Sequence, residues 1–138
     1  MQLSERDIKK LNTVHPDLQK VIYRAAEITE VDFVITCGIR TLEEQAELYA
    51  QGRTKPGKIV TWTMKSRHLP AADGFGRAVD LVPYPIDWNT TSKFDAIASA
   101  VMQASNELNI PIRWGADWDK DGVIREKGET DSPHFELC

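Results

Sequence analysis

Apolar positions along the chain divide it into short elements with clear boundaries. Ser4 with Asp7 has the pattern of a capping box, and Leu3 with Ile8 that of a hydrophobic staple, so a first helix starts there. A second helix is predicted from Pro16, a residue suited to the first helical turn, with Leu18, Val21, Ile22, Ala25 and Ile28 on one face. Residues 31–36 are short and β-branched and read as a strand, which Gly38 ends. Thr41 with Glu44 starts a third helix, with Leu42, Ala46, Tyr49 and Ala50 on one face. Residues 52–57 are a loop by composition, and an irregular stretch runs on through Ser66, Arg67 and His68 to Gly76. A strand is predicted over 78–82, ending at Pro83. Ser92 with Asp95 reads as the cap of a longer helix carrying Phe94, Ile97, Ala98, Val101, Ser105 and Leu108. Residues 110–114 and 133–137 read as closing strands. Helices come first and do not alternate regularly with strands, so the fold class is α+β with a small, mostly antiparallel sheet packed with helices.

The chain has 138 residues, 41% hydrophobic and 28% charged, which excludes wholesale disorder and predicts a single domain over 1–138. Seventeen basic against 21 acidic side chains leave a formal charge of −4, which argues against bulk binding to nucleic acid or to an anionic membrane. No apolar run approaches the ~20 residues that span a bilayer, so no membrane insertion is expected. The polar start MQLSERDIKKLN lacks the apolar stretch of a secretory signal, so synthesis in the cytoplasm is expected. Cys37 and Cys138 form no metal-binding pair by spacing, and Cys37 reads as a buried free thiol.

Three histidines are available for chemistry, and His15, before Pro16 at a helix entrance, reads as structural. His134 follows Asp131 by three residues, with Pro133 restricting the backbone between them. His68 lies in a polar loop, and Asp80 interrupts an apolar strand, where a carboxylate is costly unless paired or bound to a cation. Two imidazoles and one carboxylate are a three-ligand set that leaves the fourth position of zinc open, as catalysis requires. Scattered solvated side chains are the competing reading.

Ser66-Arg67-His68, Gly76-Arg77-Ala78-Val79-Asp80 and Asp131-Ser132-Pro133-His134 together resemble the signature of the LAS-type zinc peptidases that cut bacterial cell-wall peptides. That family includes D-alanyl-D-alanine carboxypeptidases and dipeptidases and phage L-alanyl-D-glutamate endopeptidases, and shares its fold with the Hedgehog signalling domain. Residues 38–54 are similar to its upstream motif and residues 114–119 to its late segment, in the family's order. The resemblance implies that His68, Asp80 and His134 hold zinc, that Asp131 is the general base, and that Arg40 stabilises the negative oxygen formed on the attacked carbonyl. Ser66 would contact substrate. His68 and Asp80 are twelve positions apart, wider than the family's usual spacing, with residues 69–75 carrying the extra length. Asp73 is therefore an alternative ligand, and the Gly-x-Ala-x-Asp context favours Asp80.

Asp117, Asp119 and Asp121 with Gly122 follow the start of an EF-hand-like calcium loop, although position twelve is Gly128 and the acid Glu129 comes one later. Calcium as a regulatory ion and a solvated acidic turn are the two readings. Among Trp62, Trp88, Trp114 and Trp118, Trp114 is the candidate wall of a substrate groove.

These expectations combine into a monomeric zinc-dependent peptidoglycan peptidase, a phage or prophage endolysin cutting the L-alanyl-D-glutamate bond of the stem peptide. It would reach the cell wall, on the periplasmic side, after release from the cytoplasm. A D-alanyl-D-alanine carboxypeptidase is the runner-up. A non-catalytic metal-binding module of the same fold and a calcium-binding protein are the alternatives from other classes.

Overall fold

The computed structural model describes residues 1–40, 42–51, 53, 67–117, 120, 124–125 and 131–138. The first helix, α1 (Glu5–Leu11), opens on the expected capping box. Ser4 Oγ accepts from the Asp7 N–H at 3.1 Å, and the Ser4 N–H donates to Asp7 Oδ2 at 3.3 Å. Asp7 is buried, and its other oxygen accepts the Ile35 N–H at 2.9 Å. One carboxylate thus caps the helix and satisfies an edge donor of the sheet. Helix α2 (Pro16–Ile28) buries Leu18, Val21, Ile22, Ala25 and Ala26, and His15 Nδ1 caps it by accepting from the Asp17 N–H at 3.1 Å.

Strand β1 (Phe33–Cys37) lies slightly later than its predicted span, and helix α3 (Leu42–Ala50) follows it. Of the apolar face expected of α3, Leu42 lies outside the described side chains. Ala46 is exposed, Tyr49 and Ala50 are half-buried, and the described residue sealed against the body is Gln45, at 0% exposure. Its amide is buried because it serves Arg40. Strand β2 (Ala78–Pro83) and helix α4 (Thr91–Leu108) come next. The Ser92–Asp95 cap is corrected: α4 starts before Ser92, with Thr90 as cap residue. Asp87 ties that turn by accepting from the Asn89 and Thr90 N–H groups at 2.9 and 3.2 Å. Asp95 is spent instead on Arg125, at 2.7 Å.

Strands β3 (Ile112–Trp114) and β4 (His134–Leu137) complete a four-stranded sheet ordered β1-β2-β4-β3, with every pairing antiparallel. Phe33, Ile35, Val79, Leu81, Ile112 and Phe135 join Val21, Ile22, Ile97 and Val101 in one core between sheet and helices. Because strand side chains alternate, the core set Val79 and Leu81 puts Asp80 on the opposite face. The α+β class and the small antiparallel sheet read from the sequence are what the chain forms.

Candidate active site

Asp80 sits on the central strand β2, and its neighbours across the sheet are His134 on β4 and Cys37 on β1. Asp80 Oδ1 lies 3.2 Å from His68 Nε2 and 3.3 Å from His134 Nδ1. The two rings meet edge to face, 5.0 Å apart at 83°. Both histidines are buried.

The far nitrogen of each ring is committed. His68 Nδ1 is 2.8 Å from the Gly38 carbonyl, which can only accept, so Nδ1 carries the proton and Nε2 faces Asp80. His134 Nε2 donates to Glu136 Oε1 at 2.9 Å, which turns Nδ1 toward Asp80. Glu136 is buried, and Arg67 Nε approaches its second oxygen at 3.5 Å. Partners of this kind set the tautomer and orientation of ligating histidines.

The charges are strongly coupled. Burial disfavours a charged His68, but hydrogen bonds to Asp80 and Cys37 outweigh it and push its pKa up to about 10. Burial opposes His134 in the same way, and Asp80 with Glu136 lifts it to about 9. Asp80 is itself desolvated, yet the two imidazoles hold it well below the usual carboxylate range.

Asp131 Oδ2 is 3.7 Å from His134 Nδ1, and the side chain is half open to solvent. Partial loss of hydration raises its pKa, against the pull of His134. Its backbone is held by Gly115, whose carbonyl accepts the Asp131 N–H at 3.2 Å and whose N–H donates to the His134 carbonyl at 2.8 Å. Arg40 is fastened to the same cluster: its N–H donates to the His68 carbonyl at 2.7 Å, and Nη1 to Gln45 Oε1 at 2.7 Å.

Trp114 is placed in the core rather than on a groove wall. It is 8% exposed, stacks on Phe135 at 6.2 Å and 5°, and donates Nε1–H to the Ser132 carbonyl at 2.7 Å. It steadies the Asp131–His134 turn through that bond. Asp73 is engaged elsewhere: residues 69–75 close on themselves, and Asp73 pairs with Arg77 at 2.8 Å. Gly74 makes that turn at φ 82°, in the left-handed region that favours glycine. Ser66, Asp119 and Asp121 lie outside the described residues; Asp117 closes a turn by accepting the Lys120 N–H at 3.2 Å.

Sequence reasoning passed over Cys37, Gln45, Arg67, Gly115 and Glu136. Glu136 had a legible signal, since it shares a strand face with His134 at a spacing of two. The others depend on contacts between distant segments. Cys37, His68 and Asp80 offer ligand atoms that all lie within 4.8 Å of one another, a grouping able to hold a metal ion.

The sequence profile of the phage L-alanyl-D-glutamate peptidases matches residues 1–138. The chain belongs to that family. It is 39% identical to the L-alanyl-D-glutamate peptidase of Escherichia phage T5, over 94% of this chain and 92% of the relative. It is 30% identical to the peptidoglycan L-alanyl-D-glutamate endopeptidase CwlK of Bacillus subtilis strain 168, over 96% and 78%. Among solved structures, the L-Ala D-Glu endopeptidase ChiX of Serratia marcescens superposes with a TM-score of 0.77 at 30% identity, covering 100% of this chain and 90% of that one. The D,D-dipeptidase VanXYg shares the fold at 19% identity, with a TM-score of 0.53 over 90% of this chain and 50% of that one. The family membership agrees with the motifs read from the sequence.

Proposed function

We propose that the chain is a zinc-dependent endopeptidase that hydrolyses the L-alanyl-D-glutamate bond of peptidoglycan stem peptides, acting on the cell wall as an endolysin. The observation that carries this reading is the convergence of His68 Nε2 and His134 Nδ1 on one oxygen of Asp80, with Asp131 beside them, in a member of this family. The donor set fits zinc: two imidazoles whose outer nitrogens are already committed, and one half-buried carboxylate, leave a position for solvent. Cys37 is less suited to that ion, because it meets His68 at the Nδ1 edge while Asp80 meets it at Nε2. When bound, zinc supplies Lewis acidity and lowers the pKa of water toward neutrality.

The residues around the pocket divide the remaining work. Asp131 keeps contact with solvent and has a raised pKa, both of which suit a group that takes a proton from the attacking water and returns it to the leaving amine. Arg40 stays charged and is held rigid by Gln45 and the His68 carbonyl, so it can meet the negative charge that builds on the carbonyl oxygen in the transition state. Substrate contact by Ser66 and calcium binding by the acidic loop rest on the sequence alone. Among the described residues no helix is long and apolar enough to cross a membrane.

Mass spectrometry of muropeptides released by the purified protein tests the reaction. A new free amine on D-glutamate is expected; released D-alanine would instead mark a carboxypeptidase. Chelation should abolish turnover and zinc should restore it, whereas recovery with calcium alone overturns the zinc mechanism. Asp131→Ala should retain metal and lose about 10²–10⁴-fold in rate, the range for general acid–base catalysis.

A further inference from the structure

Three separate segments carry the proposed ligands: the loop at His68, strand β2 with Asp80 and strand β4 with His134. Arg67, next to His68, is hydrogen-bonded toward the other two. Its backbone carbonyl accepts the Arg77 N–H at 2.8 Å, just before β2, and the Arg77 carbonyl accepts the Leu137 N–H at 2.9 Å. The Arg67 guanidinium closes the ring on β4, where Nη2 donates to the Leu137 carbonyl at 2.9 Å and Nε stands 3.5 Å from Glu136 Oε2. The other oxygen of Glu136 accepts from His134 Nε2 at 2.9 Å. A buried carboxylate needs such partners to offset its lost hydration. Arg113, the register partner of Glu136 on β3, makes no ion pair with it among the described residues, and its Nε is buried without a hydrogen-bond partner.

We infer that Arg67 is a positioning residue for the metal: it holds Glu136 and, through Glu136, fixes the ring of His134 so that Nδ1 keeps its aim at the pocket. The inference rests on the zinc reading above and gives Arg67 a role in it. A ligating imidazole is neutral, so in the loaded site the Glu136 carboxylate faces the permanent charge of Arg67. An ion pair with one side chain 47% exposed is worth little by itself. Here the bond to the Leu137 carbonyl already fixes the guanidinium, so less freedom is lost in meeting Glu136. Without Arg67, Glu136 can turn away from His134 toward solvent, and the ring loses its orientation. Outer partners of ligating histidines change metal affinity about 10–100-fold. Arg67 acts one step further out, so the low end of that range applies.

The test titrates zinc into metal-free full-length protein against a chromophoric chelator. Arg67→Ala should weaken zinc binding about tenfold, the low end for such partners. In a Glu136→Ala background the same substitution should have less than about a twofold effect, because the carboxylate it acts through is gone. An equal loss in both backgrounds would mean that Arg67 braces β4 without Glu136, and unchanged affinity in the single variant would mean that it does not position the site; either result overturns the inference. A second readout needs only the single variant: the His134 Nε2–H proton, followed by nuclear magnetic resonance, should exchange with solvent faster than in the parent. Equal protection in the two proteins overturns the inference as well. Arg67→Met, which keeps the packing stem and removes the charge, takes the place of the alanine variant if that protein does not fold. Zinc uptake by the parent with no change in the Arg67 variant leaves the zinc site intact. No uptake by the parent overturns both.

Discussion

Gly115→Ala is a test of how Asp131 is positioned, because Gly115 takes no part in the chemistry. A Cβ at Gly115 would lie 2.1 Å from the Asp131 carbonyl oxygen and 2.9 Å from Asp131 Cβ. Real Cβ atoms essentially never approach closer than 3.0 Å, so the Asp131 backbone must retreat by about 0.9 Å. The obstacle is backbone rather than a flexible side-chain end, so the shift passes to the carboxylate. A displacement near 1 Å costs on the order of 100-fold in rate when it misplaces a catalytic group. That corresponds to about 2.7 kcal/mol of transition-state stabilisation. Overpacking should also lower stability by roughly 1–3 kcal/mol. The assay is kcat and KM on a soluble muropeptide, with metal content and thermal unfolding measured on the same preparation. We expect kcat to fall about 100-fold, as estimated for such a misplacement, with bound metal and KM largely retained. A kcat within about twofold of the parent, too small for a misplaced base, would refute the claim that Gly115 sets the position of Asp131.

Two further outcomes follow from the cluster. Glu136→Ala removes the acceptor that orients His134 and should weaken zinc binding about 10–100-fold, measured by competition with a chromophoric chelator, while Glu136→Gln should recover most of it; unchanged affinity in the alanine variant rules out the orienting role. Metal uptake should be linked to protons, since His68 and His134 titrate near 10 and 9 in the metal-free protein, above the unperturbed imidazole value of about 6.5. Raised folded pKa values give the metal-free protein stability that is complete below about pH 6.5 and lost as pH rises through 9 to 10. Zinc must displace both protons, so binding at neutral pH should release about two and tighten with rising pH. Calorimetry in buffers of different ionisation enthalpy measures this, and uptake without proton release would show that the imidazoles are already neutral.

Local physics made much of this protein legible before any coordinates. Ser4 with Asp7, Pro16 with its apolar stripe, and the apolar strand around Asp80 each carry their signal within a few residues. The motifs around His68, Asp80 and His134 pointed to the family for the same reason, since short runs of chain hold them. What the tertiary structure decided depends on segments far apart in sequence. A bulge at Thr36 turned Cys37 onto the pocket face, and the close approach of Gly115 placed Asp131. Arg40 called for a buried Gln45 on α3, and α4 starts at Thr90, in a turn tied by Asp87, rather than at Ser92. Trp114 moved from a groove wall to the core because Phe135 stands beside it in the sheet. Periodicity reports which side chains avoid water; it carries no record of which distant backbone or charge will meet them there.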